Sequence, residues 1–188
     1  VEEFERSVEA IFARIRTDRQ IANLLNGPHF PFVVPQIAGD LGQILDGTIL
    51  PALQRSYQDQ FPKRSFKNYR EGKLAGQVSV APLTRQERLV EKMKTGPVCG
   101  VYFPALQGFG IEAARSLIAT LPEDLILSGM EVPVVATAYP EIIGRDWNTP
   151  GYDMPSLRWQ SAKFSLFCKA SDGGFSFDYR LLGALVFY

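Results

Sequence analysis

The chain has 188 residues, of which 46% are hydrophobic and 21% are charged, and its formal net charge is zero. These values are typical of a folded domain that buries a core without disulfides or metal, and they exclude disordered, collagen-like and coiled-coil proteins. No apolar run approaches the ~18 residues of a membrane span, so no membrane partner is expected.

The N-terminal part of the chain is predicted to be helical. Apolar residues at Val1, Phe4, Val8 and Ile11 follow the spacing of one helix face, with glutamates in the first turns. The capping-box offset in residues 17–20 predicts a short second helix that ends before the Gly-Pro at 27–28.

The next segments are predicted as an extended loop and two further helices. Three prolines in residues 28–35 favour an extended loop. The helical spacing of apolar residues over 41–57 is interrupted by Gly47 and Pro51, which predicts two helices, the second with proline in its first turn.

A strand and a helix are predicted after the basic middle of the chain. Val78 and Val80 alternate with polar residues as in a short strand. The three-residue offset of Thr84 and Glu87 predicts a capping box that opens a helix with its apolar face inward.

The segment 97–140 is predicted to form a strand-helix-strand unit. The runs Val98–Phe103 and Val132–Tyr139 are apolar on both faces, as in strands that are covered on both sides, and Ile111–Leu121 between them has helical spacing.

The C-terminal third is predicted to be antiparallel. Alternation of Leu157 and Trp159 slips in phase near Ala162, which predicts one bulged strand. Turn residues at 171–174 then precede a regular strand, which predicts a hairpin, with 181–188 either continuing that strand or adding another.

Together these elements predict an α+β fold, with N-terminal helices packed on a mixed sheet, a strand-helix-strand unit and a C-terminal antiparallel hairpin. We expect one domain over 1–188, with a helical part at 1–60 and a sheet-containing part at 97–188. The chain begins without an initiator methionine and stops inside an apolar run, so the alternative that it is a fragment of a longer chain stays open.

A cytoplasmic location is predicted from the N-terminus and the cysteines. Four glutamates in the first nine residues are the opposite of the basic start of a signal peptide. Cys99 and Cys168 both lie in apolar, strand-like runs, where a thiol behaves as a small buried hydrophobe.

The first candidate for chemistry is a glycine-containing turn before the predicted helix at Ile111. Gly108, Gly110 and Ala113 match the spacing of a dinucleotide-binding loop. Four residues separate it from the preceding strand, however, and Glu112 puts a carboxylate where a phosphate would sit. A connection into a packed helix is therefore favoured, and no cofactor is predicted.

The second candidate is His29, but no complete catalytic or metal-binding set is visible around it in the sequence. His29 is the only histidine, and with two cysteines it is the whole stock of soft ligands, fewer than a zinc site usually needs once both thiols are placed in the core. A serine triad would need the same histidine and lacks its characteristic turn. These observations favour a protein that is not an enzyme.

The third candidate is the long loop predicted at 139–153. Asp146, Asn148 and Gly151 match three positions of a calcium loop, but the rest of that pattern is missing and no metal is predicted. The residue types of Arg145, Trp147 and Tyr152 are enriched at binding surfaces. The alternative is that both rings fold back over the sheet edge.

The fourth candidate is a basic segment, defined as residues 61–73. It holds five basic residues and one acid, within a stretch, 55–94, that has ten basic and four acidic residues. Such cations can neutralise phosphates while rings stack on bases, although a solvated basic loop is the alternative. The cations and rings are Lys63, Arg64, Phe66, Lys67, Tyr69, Arg70 and Lys73.

Two functions stay open from the sequence. The first is a non-enzymatic binding domain that engages an anionic macromolecule such as nucleic acid, or a protein partner, through the basic segment and the loop at 139–153. It requires the cations to form one outward surface with accessible rings. The alternative is a small-molecule-binding protein or enzyme whose pocket lies between the Gly108–Glu112 turn and that loop.

Overall fold

The computed structural model describes residues 1–171 and 173–181, which form an α+β fold as predicted. Its α-helices are α1 (Glu2–Thr17), α2 (Leu41–Ile44), α3 (Leu50–Gln60), α4 (Gln86–Thr95), α5 (Ile111–Ile118), α6 (Glu131–Ala138) and α7 (Pro140–Ile143). Its strands are β1 (Phe30–Val34), β2 (Ser65–Asn68), β3 (Val78–Val80), β4 (Val98–Tyr102), β5 (Tyr152–Met154), β6 (Leu157–Trp159), β7 (Phe164–Ser171) and β8 (Gly174–Leu181). None of these helices is long and apolar enough to span a membrane.

The strands form three sheets. The largest has the order β2-β8-β7-β5 and is mixed, because β2 runs parallel to β8 whereas the other pairs are antiparallel. The β7–β8 pair is the predicted C-terminal hairpin. Two smaller antiparallel sheets pair β1 with β4 and β3 with β6.

The predicted N-terminal helices are confirmed, with one difference in how they join. Glutamates occupy the first turn of α1, and Val8 and Ile15 on its apolar face are buried. A short 3₁₀ helix follows at Ala22–Asn26. The predicted break between α2 and α3 is a π-helical segment, Leu45–Ile49, so the helical path continues into Pro51 in the first turn of α3.

The Asp40 side chain fixes the start of α2. Its Oδ1 accepts the Gln43 backbone N–H at 2.8 Å and the Gly76 N–H at 3.0 Å. These two bonds, that of Gly76 first, hold the pKa of Asp40 below its ordinary value. One carboxylate therefore ties α2 to the loop that precedes β3.

The predicted second strand of the strand-helix-strand unit is wrong. Residues 131–138 form α6, which is buried between α3 and β1. An apolar run without polar alternation suits a fully buried helix as well as a fully buried strand. Pro133 lies in the first turn of α6, where its missing N–H has no intrahelical role.

Three local predictions also differ from the structure. Residues 28–35 are not only a loop, because they contain β1, with Pro31 opposite Val101. The capping box at the start of α4 is absent, since the Thr84 hydroxyl donates to the Ala81 carbonyl instead. The predicted bulged strand is two strands in different sheets, separated by a turn at Gln160 with φ 59°.

The main core lies between the large sheet, α3, α6 and the β1–β4 pair. Its largest fully buried side chains include Tyr57, Phe175, Phe177 and Met154. A second, smaller cluster joins Ala114 and Ile118 of α5 to Leu127. The prediction for residues 182–188 lies outside the described residues.

Candidate functional site

The basic segment does not present all of its predicted residues to a partner. Phe66 is buried in the core, where its ring centroid lies 6.2 Å from that of Phe175. Tyr69 is half exposed, so of the two predicted rings in this segment it is the one that solvent can reach. Stacking on bases through both rings is therefore excluded in this conformation.

Arg64 and Arg70 are engaged within the fold. The Arg64 guanidinium lies 4.7 Å from the centre of the Phe61 ring. Arg70 lies over Tyr179 at 4.7 Å, and its Nε is 2.8 Å from an Asp178 carboxylate oxygen. Arg70 thus anchors the basic segment to β8, whereas Arg64 packs on a ring of the segment itself.

The lysines of the basic segment are the cations that solvent reaches. Lys63, Lys67 and Lys73 are exposed, and the structure gives them no ion pair within its described residues. The acidic face of α1 does not neutralise them, because the ion pairs of α1 join Arg14 to Asp124 and Arg16 to Glu9.

The predicted loop at 139–153 is partly regular structure. It contains α7 and the start of β5, and Tyr152 within it is buried opposite Cys168 of β7. Arg145 pairs with Asp146 at 3.2 Å, and Trp147 is 63% exposed. Of the three predicted binding residues, Tyr152 belongs to the core, whereas Arg145 and Trp147 are accessible.

His29 and the cysteines form no reactive pair in the described residues. The His29 ring packs edge-on against Phe12 at 5.2 Å between centroids, and its Nδ1 lies 3.0 Å from the Gly27 carbonyl oxygen. Burial raises the pKa of the Cys168 thiol far above its ordinary range, so it is not a nucleophile. No group of three potential metal ligands occurs in the part of the chain described.

A cavity of about 1450 Å³ lies beside β4. Within the described residues β4 pairs only with β1, and all five residues of β4 line this cavity. Its walls come from α1, the 3₁₀ helix, β4, the loop at 103–110 and α5, and they are largely apolar. The wall residues include Ile11, Ile15, Leu24, Val101, Leu117 and Ile118.

The cavity lies where the alternative function places a pocket. Gly108 and Gly110 line one side, and the segment 147–151 lines another. Glu112 and Glu141 do not line it. The glycine turn therefore borders a cavity without providing a dinucleotide-binding loop.

A group of polar residues, which we call the polar end, also lines the cavity. It consists of Tyr102, Ser128, Glu131, Asp153 and Arg180. The Arg180 Nε lies 3.0 Å from an Asp153 carboxylate oxygen. Burial raises the pKa of Asp153, and Arg180 opposes this effect.

Tyr102 and Glu131 are the most buried members of the polar end. Glu131 accepts the Gly129 N–H at 2.9 Å and the Gln86 side-chain amide at 3.2 Å, whereas burial raises its pKa. Burial, followed by the charge of Glu131, raises the pKa of the Tyr102 phenol well above its ordinary value. Among the described residues, the Tyr102 hydroxyl has no hydrogen-bond partner, which leaves a neutral donor in the cavity.

Sequence reasoning did not identify the polar end. Its members come from β4, from α6 and the loop before it, from β5 and from β8, so no local motif connects them. Glu131 was the one member with a sequence signal, because it directly precedes a continuous apolar run. A carboxylate in such a place is rarely buried without a partner, so its position indicates a polar contact inside the fold.

Comparisons with protein-family models, curated proteins and solved structures found no match to this chain.

Proposed function

We propose that the protein binds a small amphipathic molecule in the cavity beside β4. The apolar body of the ligand would lie against β4, α1 and α5, and its polar head would meet the polar end. The observation that carries the proposal is a largely apolar cavity lined by the Tyr102 phenol, whose hydroxyl has no hydrogen-bond partner among the residues described.

The size and lining of the cavity support an apolar body. Typical ligand pockets have volumes of roughly 300–1,000 Å³ and mostly apolar walls with a few polar groups. At about 1450 Å³, this cavity has room for a chain-like or polycyclic ligand. Apart from the buried Tyr102, the residues of β4 that border the cavity are only partly covered by protein, so a ligand would remove further apolar surface from water.

The polar end supports an uncharged head group. Asp153 and Arg180 neutralise each other, and Glu131 already accepts two hydrogen bonds. Tyr102 remains protonated at neutral pH and supplies an O–H donor. A hydroxyl or carbonyl oxygen would satisfy this donor without adding a buried charge.

A fluorescence titration with N-phenyl-1-naphthylamine, a neutral apolar dye, tests the proposal. We expect saturable binding that decanol displaces, and weaker dye binding by Val101→Trp, whose indole would occupy part of the cavity next to β4. Val33→Trp is the matched control, because Val33 is exposed on β1 and does not line this cavity. Equal dye binding by both variants, or none by the wild type, would contradict the proposal.

The role of the head group is tested with Tyr102→Phe. This variant keeps the ring and removes a hydrogen bond worth about 1 kcal/mol, so decanol affinity should fall roughly fivefold while dye affinity is retained. An unchanged decanol affinity would exclude Tyr102 as the donor.

Binding of a polyanion is a second candidate, supported by the exposed lysines Lys63, Lys67 and Lys73. Retention on heparin and on single-stranded DNA should then fall with salt and be lost when all three are changed to alanine. Retention that is absent, or unchanged in the triple variant, would remove this candidate. A cytoplasmic location remains a prediction from the sequence.

A further inference from the structure

Arg158 is a half-buried cation for which the described part of the chain provides no partner. It lies in β6 opposite Ser79 of β3, and its Nε is shielded from solvent. Within the described residues, Arg158 forms no hydrogen bond and no ion pair. Leaving a buried N–H unpaired destabilises a fold, and more so when the group is charged, so a bound acceptor would stabilise this arrangement.

A second arginine with an unpaired donor lies next to it. Arg115 lies in α5, and its Nε donates to the Pro155 carbonyl oxygen at 2.7 Å. Pro155 precedes Arg158 by three residues, so this bond holds the Arg115 guanidinium at the segment that leads to Arg158. Its Nη2 is shielded from solvent and has no hydrogen-bond partner in residues 1–171 and 173–181. Burial, followed by the charge of Arg158, lowers the pKa of Arg115, as expected for two cations held close together.

The backbone between the two arginines is fixed. The buried Ser156 donates its hydroxyl to the Leu127 carbonyl at 2.5 Å, and its own carbonyl accepts the Ala81 N–H at 2.7 Å. The arginine pair therefore does not depend on a mobile loop. Glu112 acts on Arg115 from a distance, but it pairs with neither arginine in the described part of the chain.

We propose that Arg115 and Arg158 bind a doubly charged oxyanion, the phosphate group of a small molecule or inorganic phosphate. Planar guanidinium groups donate pairs of N–H bonds to phosphate oxygens. Two cations with no paired acid match a charge of about −2, the upper value for a phosphate group at neutral pH. Neither arginine lines the cavity beside β4, so this site is separate from the proposed function.

Calorimetric titration and thermal unfolding test the site, with sodium chloride at matched ionic strength as the reference. The probes are inorganic phosphate, sulfate, phenyl phosphate and acetate. We expect phosphate and sulfate to bind saturably and to raise the melting temperature, with acetate at least tenfold weaker. Tighter binding of phenyl phosphate than of inorganic phosphate would identify a phosphate ester as the source, and the reverse would identify the free ion.

Arg158→Gln and Arg115→Gln should each weaken phosphate binding at least tenfold. Arg19→Gln, at an exposed arginine, removes the same charge and should leave binding unchanged. Arg158→Gln should also melt no lower than the wild type in chloride, because it removes an unpaired buried donor and a repulsion. Absence of saturable phosphate binding, equal affinity for acetate, or equal phosphate affinity in Arg158→Gln and Arg19→Gln would overturn the proposal.

Discussion

Replacing Gly42 with alanine tests how tightly α2 packs against the loop that precedes β3. A β-carbon at Gly42 would overlap the carbonyl group of Leu74 and would lie 2.8 Å from the Ala75 nitrogen. The obstacle is backbone, so it cannot turn aside as a side chain could. The loop would have to move away from α2.

That movement breaks two hydrogen bonds from the loop to carboxylates. The Leu74 N–H donates to Asp46 at 3.0 Å, and the Gly76 N–H donates to Asp40 at 3.0 Å. Each bond to a charged group contributes about 1.5 kcal/mol at the lower end, overpacking costs about 1–3 kcal/mol, and alanine regains about 1 kcal/mol of helix propensity. The net loss is about 4 kcal/mol, equivalent to a fall of roughly 8–16 °C in melting temperature for a domain of this size.

Gly47→Ala is the matched control for Gly42→Ala. Gly47 is exposed in the π-helical segment, and a β-carbon there would meet no atom within 4 Å. The same substitution should therefore be neutral or stabilising by up to about 1 kcal/mol. Thermal and urea unfolding of both variants measure the difference, and a Gly42→Ala protein as stable as Gly47→Ala would refute the packing argument.

Three further predictions concern single polar side chains. Asp40→Asn should be less stable than the wild type at neutral pH, and the difference should vanish in acid, because the lowered pKa of Asp40 means that its stabilisation is lost as pH falls through that pKa. Glu131→Gln should gain stability relative to the wild type as pH rises above 4.5, because ionising a buried carboxyl whose pKa is raised costs stability; a constant difference across the pH range would contradict this. Arg85→Ala should lose about 2–4 kcal/mol on urea unfolding, because its guanidinium donates three hydrogen bonds to carbonyls after α5, whereas Arg88→Ala, with one such bond, should lose about 1 kcal/mol.

Predictions from periodicity succeeded where one face of an element is buried. The apolar stripe of α1 and the alternation of Phe175 and Phe177 in β8 both match their elements. The same method failed for α6, which is apolar on most of its surface and so carries no face signal. Pro133 was the available clue, because a proline rarely occurs within a central strand.

Other differences between prediction and structure arise at backbone turns that the residue types do not predict. Gln160 adopts φ 59° and Arg85 adopts φ 65°, and neither is glycine or asparagine. The first ends β6, and the second replaces the predicted capping box at the start of α4. Long-range contacts fix both turns, as for Arg85, which bonds to carbonyls more than thirty residues away.

The candidate site was only partly accessible to sequence reasoning. The sequence shows how many charges the basic segment holds but not which of its side chains solvent can reach. The alternation of β2 buries Phe66, and Arg70 packs on the Tyr179 ring. The cavity was expected near Gly108 because loops beyond strand ends often line ligand sites. Its polar end required tertiary contacts that join four separate elements.

The parallel pairing of β2 with β8 determines the order in which the strands of the large sheet can pair during folding. Residues 65–68 of β2 pair with residues 174–177, and a β-carbon at Gly174 would overlap the Ser65 carbonyl oxygen. During synthesis on the ribosome, β2 therefore leaves the exit tunnel long before its neighbour exists. We expect the large sheet to close late and all at once, with the nascent β2 relying on α3 until then.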